Sequence, residues 1–176
     1  MKKLVIVPTY NEVENIVQLI PAILDRLPHV HILVVDDSSP DGTAQKVEEL
    51  KQSFANVHLL VRNKKEGLGK AYIAGFKWGL HAGFDILCEM DADFSHRPED
   101  LVRVLQEAET SDVVVGSRYV EGGGTVNWGF VRKLISRGGS LYSRWILGFP
   151  LNDWTGGFNA WKAQVLQTIG LDEVRS

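Results

Sequence analysis

The sequence has little of the material from which cross-links, signal peptides and membrane spans are built. One cysteine, Cys88, among 176 residues rules out a disulfide within the chain, and its apolar neighbours predict a buried strand position. The first apolar run, residues 4–7, stops at Pro8 and is too short for a signal peptide. No stretch reaches the roughly 18 apolar residues that a membrane-spanning helix needs. These features favour a reducing, cytoplasmic setting.

The sequence also lacks the net positive charge typical of nucleic-acid-binding proteins. It lacks the motifs of several nucleotide-binding and metal-binding classes as well. The net charge of -3 argues against nucleic acid as a partner. The stretch Gly67-Leu68-Gly69-Lys70 lacks the first glycine and the Ser or Thr of a nucleotide-triphosphate loop. No Gly-x-Gly-x-x-Gly follows the first predicted strand, which argues against nicotinamide chemistry. The five histidines lack zinc-ligand spacing, and only His96 lies beside a group of acidic residues.

What is present is typical of one globular domain. The hydrophobic fraction of 44% and charged fraction of 23% are ordinary, and the length fits a single core. We therefore expect residues 1–176 to form a single domain. Because the last residues contain no closing element, we also expect that domain to be truncated at its C-terminus.

Apolar β-rich runs alternate with helical stretches along the chain. Strands are predicted at residues 4–7, 31–35, 57–61, 85–90 and 112–116. Helices are predicted at residues 13–27, 43–54, 68–82, 98–108, 128–147 and 162–170, with Asn11 capping the first, Asp41 capping the second and Pro98 opening the fourth. Alternation of this kind predicts an α/β fold with a mostly parallel sheet covered on both faces.

An acidic pair follows the fourth predicted strand, at the sheet edge where ligands bind in such folds. Asp91 and Asp93 lie two residues apart, so in extended backbone their side chains leave on the same side and can share a cation. Their hard oxygen atoms favour Mg²⁺ or Mn²⁺. The alternative is that both residues serve only to cap the turn and the helix that starts at Pro98.

Two adjacent carboxylates end the second predicted strand. Asp36 and Asp37 would repel each other unless one faces a ligand, a metal or hydrogen-bond donors. Asp37 is the better candidate for contacting a base edge or a ribose hydroxyl. For Asp36, ligand binding and the chemistry of the following turn are equally good explanations.

Basic residues near the fifth strand and the helix predicted at 128–147 could bind phosphates. Arg118 follows that strand, while Arg132 and Ser136 lie one helical turn apart on one face. Solvated side chains are the alternative for each arginine. The same helix has an apolar stripe beside a basic stripe, which suits a membrane surface, although packing on its own domain is the more usual reason.

Six sequence blocks spread over nearly the whole chain match one family. They are Pro8-Thr-Tyr-Asn-Glu12, Val35-Asp-Asp-Ser-Ser-Pro-Asp-Gly-Thr43, Arg62-Asn-Lys-Lys-Glu-Gly-Leu-Gly-Lys-Ala71, Met90-Asp-Ala-Asp-Phe-Ser-His-Arg-Pro98, Gly116-Ser-Arg-Tyr119 and Asp153-Trp-Thr-Gly-Gly-Phe158. On these blocks the chain resembles the family 2 glycosyltransferases of the GT-A fold, and within them the dolichol-phosphate mannose synthases.

The resemblance implies a GDP-mannose donor, a polyprenyl (dolichyl) phosphate acceptor at the cytoplasmic face of the membrane, and Mg²⁺ or Mn²⁺ as cofactor. It implies nucleoside contacts for Pro8, Tyr10, Glu12, Val35 and Asp37, metal contacts for Asp91 and Asp93, a donor contact for Ala92, and phosphate contacts for Arg118, Arg132 and Ser136. Asp91, Asp93 and Arg118 would be the catalytic residues. The chain has Ser95 where the family has Gln or Ser, and Asn159 where the family commonly has Arg.

The chemistry expected from this resemblance is an inverting transfer. A phosphate acceptor with a second pKa of about 6 is largely ionised at neutral pH, so it needs no general base. A sister enzyme that uses a UDP-sugar is the nearest alternative. An aspartate-nucleophile phosphatase would carry its acidic pair after the first strand, and a receiver-like signalling module would need a lysine where this chain has Ser117 and Arg118.

Overall fold

A computed structural model describes residues 1–117 and 156–174 of the chain. Its strands are β1 (Lys3–Thr9), β2 (His31–Asp36), β3 (Val57–Val61), β4 (Ile86–Glu89), β5 (Val113–Val115) and β6 (Asn159–Lys162). Its helices are α1 (Val13–Arg26), α2 (Thr43–Ser53), α3 (Leu68–His81), α4 (Pro98–Glu107) and α5 (Ala163–Thr168). The helix predicted at residues 128–147 lies outside the described residues.

The strands form a six-stranded sheet in the order β3-β2-β1-β4-β6-β5. The pairs β1–β2, β1–β4 and β2–β3 are parallel, whereas β6 runs antiparallel between β4 and β5. This confirms the predicted α/β fold with a mostly parallel sheet. Strand β6 was not predicted, and it takes the place next to β4 that a fully parallel arrangement would leave for β5.

Helices cover both faces of the sheet because the strands present apolar side chains on both faces. In β1, Val5 and Val7 pack under α1, α2 and α4, while Leu4 and Ile6 pack under α3 and α5, and all four are fully buried. Cys88 is also fully buried, as predicted. Across residues 1–117 and 156–174, no helix has both the length and the apolar character needed to cross a membrane.

Helix α3 lies close to the sheet because two of its glycines face the strands. A Cβ atom at Gly75 would come 2.5 Å from Cγ2 of Ile6, and one at Gly79 would come 2.5 Å from Cδ2 of Leu87. Real Cβ atoms do not approach other atoms so closely. The two glycines therefore set the depth at which α3 packs.

The starts of α1 and α2 are tied together by one side chain, which differs from the predicted capping. Asn11 adopts a positive φ of 62° and does not cap α1. Instead, Asp41 accepts hydrogen bonds from the backbone N–H of Val13 through Oδ2 (3.1 Å) and from that of Thr43 through Oδ1 (3.0 Å). The N-cap position of α2 is Gly42 and not Asp41 as predicted, although Asp41 does bond the first N–H of that helix. Its second role at α1 was missed.

Candidate active site

A cleft of about 300 Å³ opens at the carboxyl ends of the parallel strands. Its lining residues lie at or just after the ends of β1, β2 and β4, and the rest come from the segment before α3 and from the first turn of α3. They are Pro8, Thr9, Tyr10, Glu12, Asp37, Lys65, Gly67, Leu68, Ala71, Asp91, Ala92 and Asp93. Parallel strands end at one edge of the sheet, so residues far apart in sequence meet here.

The cleft brings together most of the residues that the sequence predicts for the nucleoside and the metal. Those lining it are Pro8, Tyr10, Glu12, Asp37, Asp91, Ala92 and Asp93. Arg118, Arg132 and Ser136 lie outside the described residues. Val35 departs from the expectation, because it is fully buried in the core beneath α3 and has no surface with which to contact a nucleoside.

The two carboxylates that end β2 have different environments. Asp36 is fully buried and accepts hydrogen bonds from the Thr9 hydroxyl (2.9 Å) and from the backbone N–H and hydroxyl of Ser39 (2.9 and 2.6 Å). Its role is therefore to hold the turn after β2. Asp37 instead lines the cleft, where its Oδ1 atom lies 3.1 Å from Nη1 of Arg62.

Arg62 is a site residue for which the sequence predicted no role. Its backbone N–H donates to the carbonyl of Asp36 (2.7 Å), and its Nη2 atom lies 3.1 Å from Oε2 of Glu66. The guanidinium thus bridges Asp37 of the cleft and Glu66 of the segment before α3. Its position directly after β3, at the same edge of the sheet as the acidic residues, is the signal that could have found it.

Asp91 is held from two directions. The hydroxyl of Tyr72, on α3, donates to Oδ1 of Asp91 at 2.9 Å, and the backbone N–H of Asp91 donates to Nδ1 of His96 at 3.2 Å. The His96 ring stacks on Phe158, with centroids 4.7 Å apart and planes inclined by 9°. Burial, and then the nearby charge of Asp91, raise the pKa of Tyr72, so its hydroxyl remains a donor.

Asp93 belongs to the turn between β4 and α4. Burial acts to raise the pKa of its carboxyl, but hydrogen bonds from Ser95 and the nearby His96 outweigh burial and hold the pKa below its ordinary value. The backbone N–H of Ser95 donates to Oδ1 at 2.9 Å. No side chain caps α4, so capping of that helix does not account for the acidic pair.

The donor set of the cleft fits a hard divalent cation that also binds a phosphate ligand. Asp91 and Asp93 both line the cleft with carboxylate side chains. Within the part of the chain that the structure describes, no group of three or more His, Cys, Asp or Glu side chains could hold a metal ion. Mg²⁺ commonly binds through one or two carboxylates and completes its shell with waters and substrate phosphates, so the pair suffices.

The segment before α3 supplies cleft residues that sequence reasoning left without a role. Nζ of Lys65 lies 3.8 Å from the ring centroid of Tyr10, within the range of a cation–π contact. Gly67 adopts a φ of 100°, which a side chain would strain, and α3 begins at the next residue. This segment, for which the sequence predicted no nucleotide-triphosphate loop, forms one wall of the cleft.

Comparison with known proteins assigns the chain to a family. The model described as Glycosyl transferase family 2 matches residues 4–169. The chain belongs to this family. The resemblance seen in the sequence blocks is therefore confirmed, and the chain is a family 2 glycosyltransferase.

Two curated relatives resemble this glycosyltransferase along its whole length. Undecaprenyl-phosphate mannosyltransferase of Micrococcus luteus is 49% identical over 176 residues, which cover 100% of this chain and 72% of the relative. Polyprenol monophosphomannose synthase of Mycolicibacterium smegmatis is 46% identical over 177 residues, covering 99% of this chain and 67% of the relative. Each relative is thus longer than the chain.

A solved structure confirms the glycosyltransferase fold. The mannosyltransferase from Pyrobaculum calidifontis, in complex with GDP-Man and Mn²⁺, superposes with a TM-score of 0.63 at 20% sequence identity. The match covers 96% of this chain and 46% of that structure. At this identity the likeness shows the GT-A fold, and the substrates have to be argued separately.

Proposed function

We propose that this glycosyltransferase transfers mannose from GDP-mannose to a polyprenyl phosphate. The observation that carries the proposal is the cleft in which the ends of β1, β2 and β4 bring Tyr10, Asp37, Asp91 and Asp93 together. Two relatives of nearly half-identical sequence, named for mannosyl transfer to undecaprenyl or polyprenol phosphates, support the choice of sugar and acceptor.

In this proposal the nucleoside occupies the side of the cleft formed by β1 and β2. Pro8 and Tyr10 offer apolar and aromatic surface there, while Glu12 and Asp37 offer carboxylates for a base edge or ribose hydroxyls. Arg62 fixes the Asp37 carboxylate from behind through their 3.1 Å ion pair. A carboxylate held in this way is oriented before the ligand arrives.

The diphosphate lies next to the acidic pair. Asp91 and Asp93 would hold Mg²⁺ or Mn²⁺, with Ala92 between them at the donor. The bound cation would neutralise negative charge on the diphosphate as it leaves. Arg118, Arg132 and Ser136 are proposed to contact donor or acceptor phosphates, although they lie outside the described residues.

The transfer step needs few groups from the protein. An oxygen of the lipid phosphate forms a bond to the anomeric carbon while the bond from that carbon to the diphosphate breaks, releasing GDP. Because the acceptor is already ionised, no proton has to be removed. Attack opposite to the leaving group inverts the anomeric configuration from α to β. Since the acceptor is a membrane lipid, we place this step at the cytoplasmic membrane surface.

Calorimetry with three donors tests the nucleotide and the cation together. GDP-mannose, UDP-glucose and UDP-N-acetylglucosamine are titrated with and without Mn²⁺, and the same titrations are repeated with Asp93→Asn. We expect Mn²⁺-dependent binding of GDP-mannose that the variant weakens at least about 10-fold. Preference for either UDP-sugar would assign the site to the alternative donor class, and binding indifferent to Mn²⁺ would contradict the metal site.

The acceptor is tested by product formation. The chain is incubated with GDP-mannose and undecaprenyl phosphate in detergent, and the product is analysed by mass spectrometry and by the NMR coupling of the anomeric proton. A β-linked mannosyl phosphate lipid is expected. An α-linked product would overturn the inverting mechanism.

A further inference from the structure

Tyr72 lies where the closely packed helix α3 meets the acidic pair. Its residue surface is 5% exposed, and its hydroxyl donates a 2.9 Å hydrogen bond to Oδ1 of Asp91. We infer that Tyr72 is a positioning residue for cation binding, which holds one oxygen of Asp91 and leaves the other, Oδ2, for the ion. This inference rests on the proposed function, since it takes Asp91 to be a metal ligand.

The backbone of Asp91 is already fixed without Tyr72. Its N–H donates to Nδ1 of His96, whose ring is stacked on Phe158. What remains free is rotation of the Asp91 side chain, which is partly exposed, at 31%. Among the described residues, the Tyr72 hydroxyl restricts this rotation by a direct hydrogen bond to Oδ1, whereas Nδ1 of His96 lies farther away, 4.0 Å from Oδ2.

Restricting the rotation matters because of the cation that the site suits. Mg²⁺ requires near-ideal octahedral geometry and gives up water reluctantly, so a ligand oxygen that swings costs affinity. A hydroxyl bonded to Oδ1 also takes one of the acceptor sites of that oxygen, which disfavours bidentate binding of the ion through both oxygens of Asp91. The expected arrangement is therefore one oxygen of Asp91 on the ion and one on Tyr72.

The position of Tyr72 is itself determined by packing. Gly75, which follows it on α3, lets the helix approach Ile6 of β1 closely. The Tyr72 ring stacks on Phe76 with centroids 6.5 Å apart. Because the buried ring sits on a helix at fixed depth, its hydroxyl is held at one place, as a group that orients a metal-binding carboxylate has to be.

Mn²⁺ binding provides a readout that does not depend on turnover. The free Mn²⁺ signal in electron paramagnetic resonance is measured while the metal alone is titrated into wild type and Tyr72→Phe. The variant keeps the buried ring and removes only the hydroxyl. We expect it to bind Mn²⁺ about 10-fold more weakly, within the range usual when a ligand side chain loses its hydrogen-bond partner, while its thermal unfolding stays close to that of wild type.

Two further variants separate positioning from packing and from the metal site itself. Leu24→Ala weakens the packing of α1, on the face of the sheet opposite to Tyr72, and keeps the hydroxyl, so its Mn²⁺ affinity should match wild type even if it unfolds at a lower temperature. Asp91→Asn should abolish binding. If Asp91→Asn loses Mn²⁺ binding while Tyr72→Phe keeps wild-type Mn²⁺ affinity, the positioning role of Tyr72 is overturned and the proposed function still stands. Undiminished binding in Asp91→Asn would contradict the proposed metal site.

Discussion

Asn159 donates its side-chain amide to Oε2 of Glu89 at 2.8 Å, next to the last paired residues of β6 and β4. Glu89 is largely buried, and burial raises its pKa, with the nearby Asp91 acting in the same direction. The hydrogen bond from Asn159 acts in the opposite direction. The amide at this position thus stabilises the charged form of a carboxylate that the core disfavours.

The substitution Asn159→Ala removes the amide that donates a hydrogen bond to the Glu89 carboxylate. We expect the free energy of unfolding to fall by about 1–3 kcal/mol, the usual cost of removing one hydrogen-bond donor from a buried polar group. Urea denaturation at neutral pH measures the change. Lys46→Ala is the control, because it removes the partner of the exposed Glu49 and should cost less than about 1 kcal/mol. Equal effects of the two substitutions would contradict the prediction.

A histidine pair predicts pH-dependent stability. Nδ1 of His31 and Nε2 of His58 are 3.0 Å apart, between β2 and β3, and the rings are stacked. Burial lowers both pKa values, helped by the charge of Lys2 at His31 and by those of His31 and Lys51 at His58. In the unfolded chain these histidines have pKa values of about 6.5.

Below that pH the unfolded chain binds more protons than the folded one, so the free energy of unfolding should decrease as the pH falls from about 7 to about 5. The stability contributed by the pair is complete above the unfolded pKa. Replacement of His58 with Gln should make this decrease shallower. Urea denaturation of both proteins across this pH range compares the slopes, and identical slopes would show that the pair does not contribute.

Gly79→Ala sets two effects against each other. Alanine is favoured over glycine inside a helix by about 1 kcal/mol. However, the new Cβ would lie 2.5 Å from Cδ2 of Leu87 and 2.7 Å from Cδ2 of Leu4, both fully buried. Overpacking of this kind typically costs about 1–3 kcal/mol, so we expect net destabilisation. A higher midpoint of thermal unfolding would show instead that the helix adjusts freely.

Asp41→Ala should loosen the starts of two helices at once. The substitution removes the acceptor used by the backbone N–H groups of Val13 and Thr43. We expect a loss of about 1 kcal/mol, as for other caps, measured by thermal unfolding. Asp41→Asn keeps one acceptor oxygen and should fall between Asp41→Ala and wild type. An Asp41→Ala protein as stable as wild type would argue against the shared cap.

Much of the fold follows from local sequence signals. The predicted starts of α1 to α4 match the observed ones, because features such as Pro98 mark helix starts within a few residues of chain. Strand β6 could not be predicted in the same way. It spans Asn159–Lys162, and its place between β4 and β5 depends on antiparallel pairing with residues more than forty positions away.

Candidate site residues that follow a strand were predicted from the sequence. The candidate residue inside a helix was missed. Asp37, Asp91 and Asp93 were identified in this way, and all line the cleft. Tyr72 lies inside α3, where its sequence position resembles that of any core aromatic residue. Val35 was taken over from the resemblance, whereas the pleat of β2 turns it with Leu33 into the core beneath α3.

The glycines of α3 limit how this protein can be made more robust. Filling the space under a helix is a common route to thermostability, and Gly75 and Gly79 would be obvious targets for it. Here a larger residue would lift the helix from β1 and carry the Tyr72 hydroxyl away from Asp91. Engineers should seek added stability elsewhere, such as the exposed helix surfaces, because a thicker interface at α3 would weaken the hydrogen bond that Tyr72 donates to Asp91.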